Sequence, residues 1–380
     1  MRTRMDQARS RHVGMRRTVI ALGASLVTLV VIMSAGAATH KGVRRPATYV
    51  GRVGFHVHFA AKAPAEAEQG MRALKAIGVT WVRDDFDWRY AEPRPGQFDF
   101  GRGDTLMTAA ARTRMNVLGI LAYAPRWAAT DSSEPYSPPK NLSDYATYIK
   151  YVLWRYGPGG DFWRQHPNLE PMPLRAVELW NEPWAWWFWR PGPDPAAYAR
   201  LAHAGAAAVR SVAPETTILI SGDVWGYDRN GSGPPFLAAV LTADPKLRKL
   251  VDGYSVHAYT GAQPPSSRRS ALRFQFDRIP LTKQVARRFH AGKPIWLTEY
   301  GWSTAPSTPR AVTEAQQARY IVGATKIALK RYNVAKAFVY DYSRSNGRQG
   351  DLENNYGMIR SDGSYKPAWD AVVRLLRAQR

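Results

Sequence analysis

Residues 176–183 read Ala-Val-Glu-Leu-Trp-Asn-Glu-Pro. This is a short apolar run of strand length that closes on a carboxylate and a proline. Runs of the same kind recur on both sides of it, at 53–59, 79–83, 117–123, 217–222, 253–257, 294–299 and 335–340. Between them lie stretches rich in Ala, Leu, Arg and Lys at helical spacing, at 65–76, 104–114, 143–156, 195–212, 235–242, 271–290, 313–331 and 367–378. Eight strands alternating with eight helices predict a single α/β domain, a (β/α)8 TIM barrel over residues 48–380, with no second domain left over.

The length suits that reading, since 380 residues hold one barrel with loop insertions. The composition includes 14 Trp and 19 Tyr, a heavy aromatic load. Exposed Trp and Tyr faces stack on the apolar faces of sugar rings, whereas buried ones only fill the core. There is no cysteine, which excludes disulfides, thiolate metal sites and cysteine nucleophiles and leaves catalysis to oxygen and nitrogen groups. The formal charge is +23; the first 38 residues hold six Arg and one Asp, so the remainder carries +18. A basic surface of this size fits an acidic polymer, a cell wall or a membrane, or is simply solvated. No compact basic run interleaved with aromatics supports a nucleic-acid partner.

Residues 1–39 stand apart. Arg16 and Arg17 precede an apolar stretch at 18–38 that closes on Ser34, Ala35, Gly36, Ala37 and Ala38. This is the pattern of a cleavable signal peptide, and at about 20 residues it is also long enough for an uncleaved membrane anchor. Both imply an extracellular protein, secreted or held on the outer face of the membrane.

In a (β/α)8 barrel the C-terminal ends of the strands carry the active site, and the long Pro- and Gly-rich segments 125–139, 184–195 and 259–270 follow strands three, four and six. Strand four ends at Glu182. Strand seven, Ile-Trp-Leu-Thr-Glu-Tyr-Gly at 295–301, carries Glu299 at its end. One such acid alone is most simply a helix cap or a surface ion-pair partner. Two of them on strands four and seven face each other across the barrel mouth, as a two-carboxylate glycosidase requires.

Trp180 to Pro183 and Thr298 to Gly301 resemble the W-N-E-P and T-E-[YF]-G motifs of the clan A glycoside hydrolases, with family 39 most similar and family 5 also in view. The resemblance covers nearly the whole barrel. It implies a retaining hydrolase of polysaccharides or oligosaccharides with no cofactor and no metal, in which Glu182 is the general acid/base and Glu299 the nucleophile. It further implies that Asn181 binds the sugar 2-hydroxyl, that His257 lines the site and that Tyr259 bonds the nucleophile. Arg83, at the end of strand two, is expected to keep Glu299 ionised or to pair with Glu178 inside the barrel. Trp127 and Trp184 are candidate stacking platforms, although at least half of the rings in the 184–189 cluster are expected to pack into their own loop. Many clan members place a Trp at strand eight beneath the sugar. This chain departs from that pattern with Phe338-Val339-Tyr340, so Tyr340 is the candidate substitute.

Two other classes remain. His56 and His58, at i and i+2 on strand one, share a face with metal-ligand spacing and, with His257 and Asp341, are similar to metal-dependent amidohydrolase barrels. Strand five supplies no His, however, and the more ordinary place for His58 is in a sugar site. A noncatalytic carbohydrate-binding protein on the same scaffold is the third reading. The chain is expected to act as a monomer.

Overall fold

Eight parallel strands close in sequence order into a barrel: β1 (Val53–His56), β2 (Trp81–Asp87), β3 (Asn116–Ala122), β4 (Ala176–Leu179), β5 (Thr217–Ser221), β6 (Gly253–His257), β7 (Ile295–Tyr300) and β8 (Lys336–Val339). The computed structural model describes residues 49–226, 233–267, 276–306, 308–343 and 351–378. The expected N-terminal segment 1–39 lies outside these. Among the described residues no helix is long and apolar enough to cross a membrane.

The helices follow the expected alternation. They are α1 (Pro64–Ala76), α2 (Trp88–Ala91), α3 (Gly101–Thr113), α4 (Leu142–Tyr156), α5 (Asp161–Gln165), α6 (Pro195–Val212), α7 (Phe236–Ala243), α8 (Leu247–Leu250), α9 (Arg278–Arg288), α10 (Glu314–Lys326) and α11 (Pro367–Arg377). Helix starts are written in the sequence. Asp194 accepts the N–H groups of Ala196 and Ala197 ahead of Pro195, and Thr313 and Gln316 form a reciprocal capping box. The short α2, α5 and α8 fall below the length at which periodicity is visible. The expected helix 313–331 ends as a π-helical turn, Ile327–Arg331, and of the stretch 271–290 residues 271–275 lie outside the described residues.

Strand two is the informative difference. It runs on to Asp87, four residues past the expected end at Arg83, through Arg-Asp-Asp-Phe-Asp. A run so charged does not look like a barrel strand. It is tolerated because its charges have partners at the mouth: Arg83 pairs with Glu178 and Glu299, and Asp87 with Arg89.

The base of the barrel is closed by an apolar plug of Leu118, Ala176, Leu219, Trp296 and Phe338, against which Trp81 packs. Trp296 meets Trp81 edge-on at 5.4 Å and stacks on Phe338 at 6.2 Å. Gly54 is required here, since a Cβ at that position would lie 2.6 Å from the Phe338 ring. Removing the central ring would leave a cavity that neighbouring strands cannot collapse into. Trp296→Ala is therefore expected to cost about 3–5 kcal/mol, measured as a lower denaturation midpoint at an unchanged m-value.

Candidate active site

The site is assembled by departures from regular strand geometry. Trp296 and Thr298 face into the barrel, Trp296 in the plug and Thr298 donating toward Glu178 at 3.4 Å, so strict alternation would turn Glu299 away. The β7–β8 register shifts between Leu297 and Tyr300, and the β6–β7 register shifts between Val256 and His257. These irregularities re-aim Glu299 and His257 into the mouth. On strand four the same task falls to the backbone: Trp180 and Glu182 hold φ of 69° and 43°, left-handed values that non-glycine residues rarely adopt. Packing fixes the turn, since the Trp180 indole donates to the Phe188 carbonyl at 2.9 Å and meets the Trp189 ring edge-on at 5.6 Å.

At the centre lies Arg83, fully buried. Its guanidinium donates to Glu178 Oε2 at 2.8 Å, Glu299 Oε1 at 2.5 Å, Asn181 Oδ1 at 2.9 Å and His56 Nδ1 at 2.7 Å. Both expected roles of Arg83 therefore hold at once. Tyr259 donates to the other Glu299 oxygen at 2.6 Å. His257 Nδ1 sits 2.7 Å from Glu182 Oε1 and 3.4 Å from Glu299 Oε2, bridging the two glutamates. Glu182 Oε2 accepts the indole N–H of Trp187 at 3.2 Å.

A cavity of about 640 Å3 opens above these groups. Among the expected site residues, His58, Asn181, Glu182, Tyr259, Glu299 and Tyr340 line it, while Arg83 and His257 hold the carboxylates from behind. Trp127 and Trp184 do not reach it, which corrects the expected stacking role. Trp127 donates its indole N–H to the Glu92 carbonyl and packs on Trp88; Trp184 is buried and meets Trp187 edge-on at 5.8 Å. Within that loop it is Trp187 that faces the cavity.

Several lining residues escaped the sequence reading. Tyr123, Tyr136, Phe188 and Arg89 form one wall, with the Arg89 guanidinium 5.0 Å from the Tyr123 ring and held by Asp87. Tyr356 and Arg310 join Tyr340 and Tyr259 on the other, Tyr340 and Tyr356 meeting edge-on at 5.3 Å. Asp85 also lines the cavity, with a buried Oδ1 that makes no hydrogen bond within the protein. Only the polar alternation of 83, 85 and 87 gave a signal, and that was visible once strand two was known to continue.

The electrostatics follow from burial and pairing. Burial alone pushes the Glu299 carboxyl up, but His257, Arg83 and the Tyr259 hydroxyl together hold it below the usual carboxylate range. Burial pushes His257 down, but Glu299 and Glu182 outweigh it and raise the imidazole to about 9. Burial is the main cause that brings Asp84 and Asp223 up to about 7 and Asp85 to about 6. His58 is raised because Asp341, 3.5 Å away, overcomes its desolvation.

His257, Asp84, Asp85 and Asp223 all bind protons more tightly folded than unfolded, so each stabilises less as pH rises through its folded value. Glu299 acts in the opposite sense, with stabilisation lost only below the ordinary carboxylate range. Equilibrium denaturation is expected to show stability declining as pH rises from about 4, the ordinary Asp value, toward about pH 9. His257→Gln is expected to remove the part of that decline lying between about pH 6.5, its ordinary value, and about pH 9. A profile in His257→Gln that declines as steeply as wild type over this window contradicts the assignment.

The sequence model of the cellulase family, glycosyl hydrolase family 5, matches residues 163–340. No curated protein matches. Among solved structures, a family 39 glycoside hydrolase from the gut symbiont Bacteroides cellulosilyticus WH2 superposes with a TM-score of 0.66 at 22% identity, covering 86% of this chain and 63% of the other. GH5_18 from Streptomyces cattleya, in complex with GlcNAc, gives 0.64 at 16% identity over 88% and 81%. The endo-β-1,4-mannanase from Thermotoga petrophila gives 0.59 at 15% identity over 88% and 77%. These likenesses show a common barrel, and the chain spans less than two thirds of the length of the family 39 structure. The chain is accordingly similar to the clan A glycoside hydrolases, through the family 5 sequence match over residues 163–340 and a barrel fold shared with family 5 and family 39 structures.

Proposed function

We propose that this protein hydrolyses O-glycosidic bonds of an extracellular polysaccharide or oligosaccharide by double displacement, with net retention at the anomeric carbon. The observation that carries this is the proximity of the two glutamates: one oxygen each of Glu182 and Glu299, and a nitrogen of His257, lie within 4.8 Å of one another. Retaining enzymes hold their carboxyl groups about 5–5.5 Å apart, whereas inverting enzymes need about 6.5–9.5 Å to admit a water.

Glu299, held as the anion by Arg83, Tyr259 and His257, attacks the anomeric carbon. Glu182, oriented by His257 Nδ1 2.7 Å away, protonates the departing oxygen. Formation of the glycosyl ester removes the charge of Glu299, after which Glu182 takes a proton from the incoming water. Asn181, oriented by Arg83, presents its amide to the sugar 2-hydroxyl. Asp85 and His58 offer polar partners deeper in the cavity. The aromatic walls favour a polymer, and the +18 charge outside the first 38 residues, with Arg310 exposed at the rim, favours an acidic one. Export is supported by the apolar stretch 18–38, and we take the chain to act as a monomer.

The metal reading meets a specific obstacle. His56, His58 and Asp85 bring ligand atoms within 4.8 Å of one another. Arg83 can only donate, however, so its 2.7 Å contact makes His56 Nδ1 an acceptor and leaves the proton on Nε2. Neither ring nitrogen is then available to a cation.

Reducing-end release from plant, cell-wall and biofilm polysaccharides is expected to be insensitive to chelator. Glu299→Gln and Glu182→Gln are each expected to slow it by about 10²–10⁴-fold, and the first-formed product anomer, read by NMR, should match the substrate. Release that chelator abolishes and Glu299→Gln spares points to a metal enzyme; saturable binding without turnover points to a binding protein. Tyr259→Phe removes one donor from the nucleophile, so its carboxyl rises. The acidic limb of the kcat/KM profile is expected to move to higher pH, with a loss of about ten-fold at the optimum. An unmoved limb contradicts the role of Tyr259.

A further inference from the structure

A second concavity, of about 690 Å3, lies outside the barrel between α10 and α11. Val322 and Leu375 contribute to an apolar floor, and its walls carry Arg319, Lys326, Lys330 and Arg374, all exposed, with no carboxylate among the lining residues. Among the described residues, none of these four cations lies within ion-pair distance of an acid. Some cations elsewhere on the barrel helices do have acid partners: Arg112 pairs with Glu68, Arg155 with Asp104 and Arg210 with Asp252.

Position adds to the argument. A helix that follows a parallel strand runs back toward the base of the barrel, so Lys326, Lys330 and Arg374, in the last turns of their elements, stand at the base, opposite the catalytic mouth. One cation per helix end is the ordinary complement to the helix dipole. Four converging on one groove with an apolar floor exceed that need. Tyr49, which leads directly into β1, is also part of the groove, and the Lys330 ammonium lies 5.3 Å from its ring. Ten residues lie between Ala38, the end of the apolar stretch 18–38, and Tyr49.

We propose that this groove binds the headgroups of anionic phospholipids, seating the barrel base-down on a membrane with its cavity directed away from it. The cations meet lipid phosphate, and the apolar floor receives the upper part of an acyl chain or glycerol backbone. The stretch 18–38, read as bilayer-seeking, supplies proximity; the groove supplies the preference for negative charge. The two contributions are measured separately.

The test uses the full-length protein with vesicles of phosphatidylcholine alone or mixed with phosphatidylglycerol, read by co-sedimentation. Wild type is expected to favour the anionic vesicles by at least about ten-fold, a preference that shrinks as salt is raised. The combined variant Lys326→Glu, Lys330→Glu and Arg374→Glu is expected to lose that preference and to bind both vesicle types alike. The corresponding triple Gln variant should fall between, and thermal melting confirms that both variants fold. Equal binding of wild type to the two vesicle types overturns the proposal, as does an undiminished preference in folded variants. Displacement of wild type from anionic vesicles by a soluble polyuronate, at a salt concentration where the vesicles otherwise retain it, also overturns it and assigns the groove to polysaccharide. None of these readings depends on turnover, so failure of the hydrolase assignment is seen independently in the sugar-release assay.

Discussion

A guanidinium withdrawn completely from water is the constraint around which the mouth of this barrel is organised. Burying a charge costs several kcal/mol unless it is paired and its donors are used. Arg83 meets that demand by reaching Glu178 below it, Glu299 above it, and Asn181 and His56 to the sides. Barrel interior and catalytic mouth are thereby one electrostatic unit. Glu299 cannot shift without exposing the same cation that orders Glu178, and Glu178 in turn is touched by Thr298, the residue preceding Glu299.

The same unit explains how strain is carried. Left-handed backbone at Trp180 and Glu182 costs of order 1–3 kcal/mol per residue, and the surrounding loop repays it through ring packing and the Trp180–Phe188 hydrogen bond. Much of the aromatic richness of residues 184–189 is thus scaffolding for the turn that carries Glu182. Trp187 alone of that group's tryptophans lines the cavity, and it does so while donating to Glu182.

The eight strands were legible because each is a short apolar run between helical stretches, and the two glutamates were legible because each ends such a run in a distinctive four-residue context. What sequence could not supply was direction. Trp127 and Trp184 were indistinguishable from Trp187 as letters in a loop, and only the fold decides which ring turns inward. Strand two is longer than its apolar run because Asp84, Asp85 and Asp87 look like loop residues until the Ala60 N–H that Asp84 accepts and the Arg89 that pairs with Asp87 are known. Tyr123 and Tyr136 reach the cavity from the segment after β3 and Tyr356 from the segment after β8, with no motif to announce them. His257 was expected to line the site, yet it stands behind the cavity between both carboxylates, a position that depends on a shift in strand register with no letter of its own.

The plug of Trp81, Trp296 and Phe338 has a consequence for traffic. With the floor sealed, the cavity opens at the mouth, and in the proposed double displacement the substrate, the departing fragment and the water would all use that opening. In a double displacement the departing fragment vacates the place from which water must approach the sugar ester. A fragment slow to leave, gripped by the rings of Trp187, Phe188 and Tyr136, therefore stands where it can itself accept the sugar. On the proposed mechanism, an aromatic wall that held a long substrate would also set the balance between hydrolysis and transfer to a second carbohydrate.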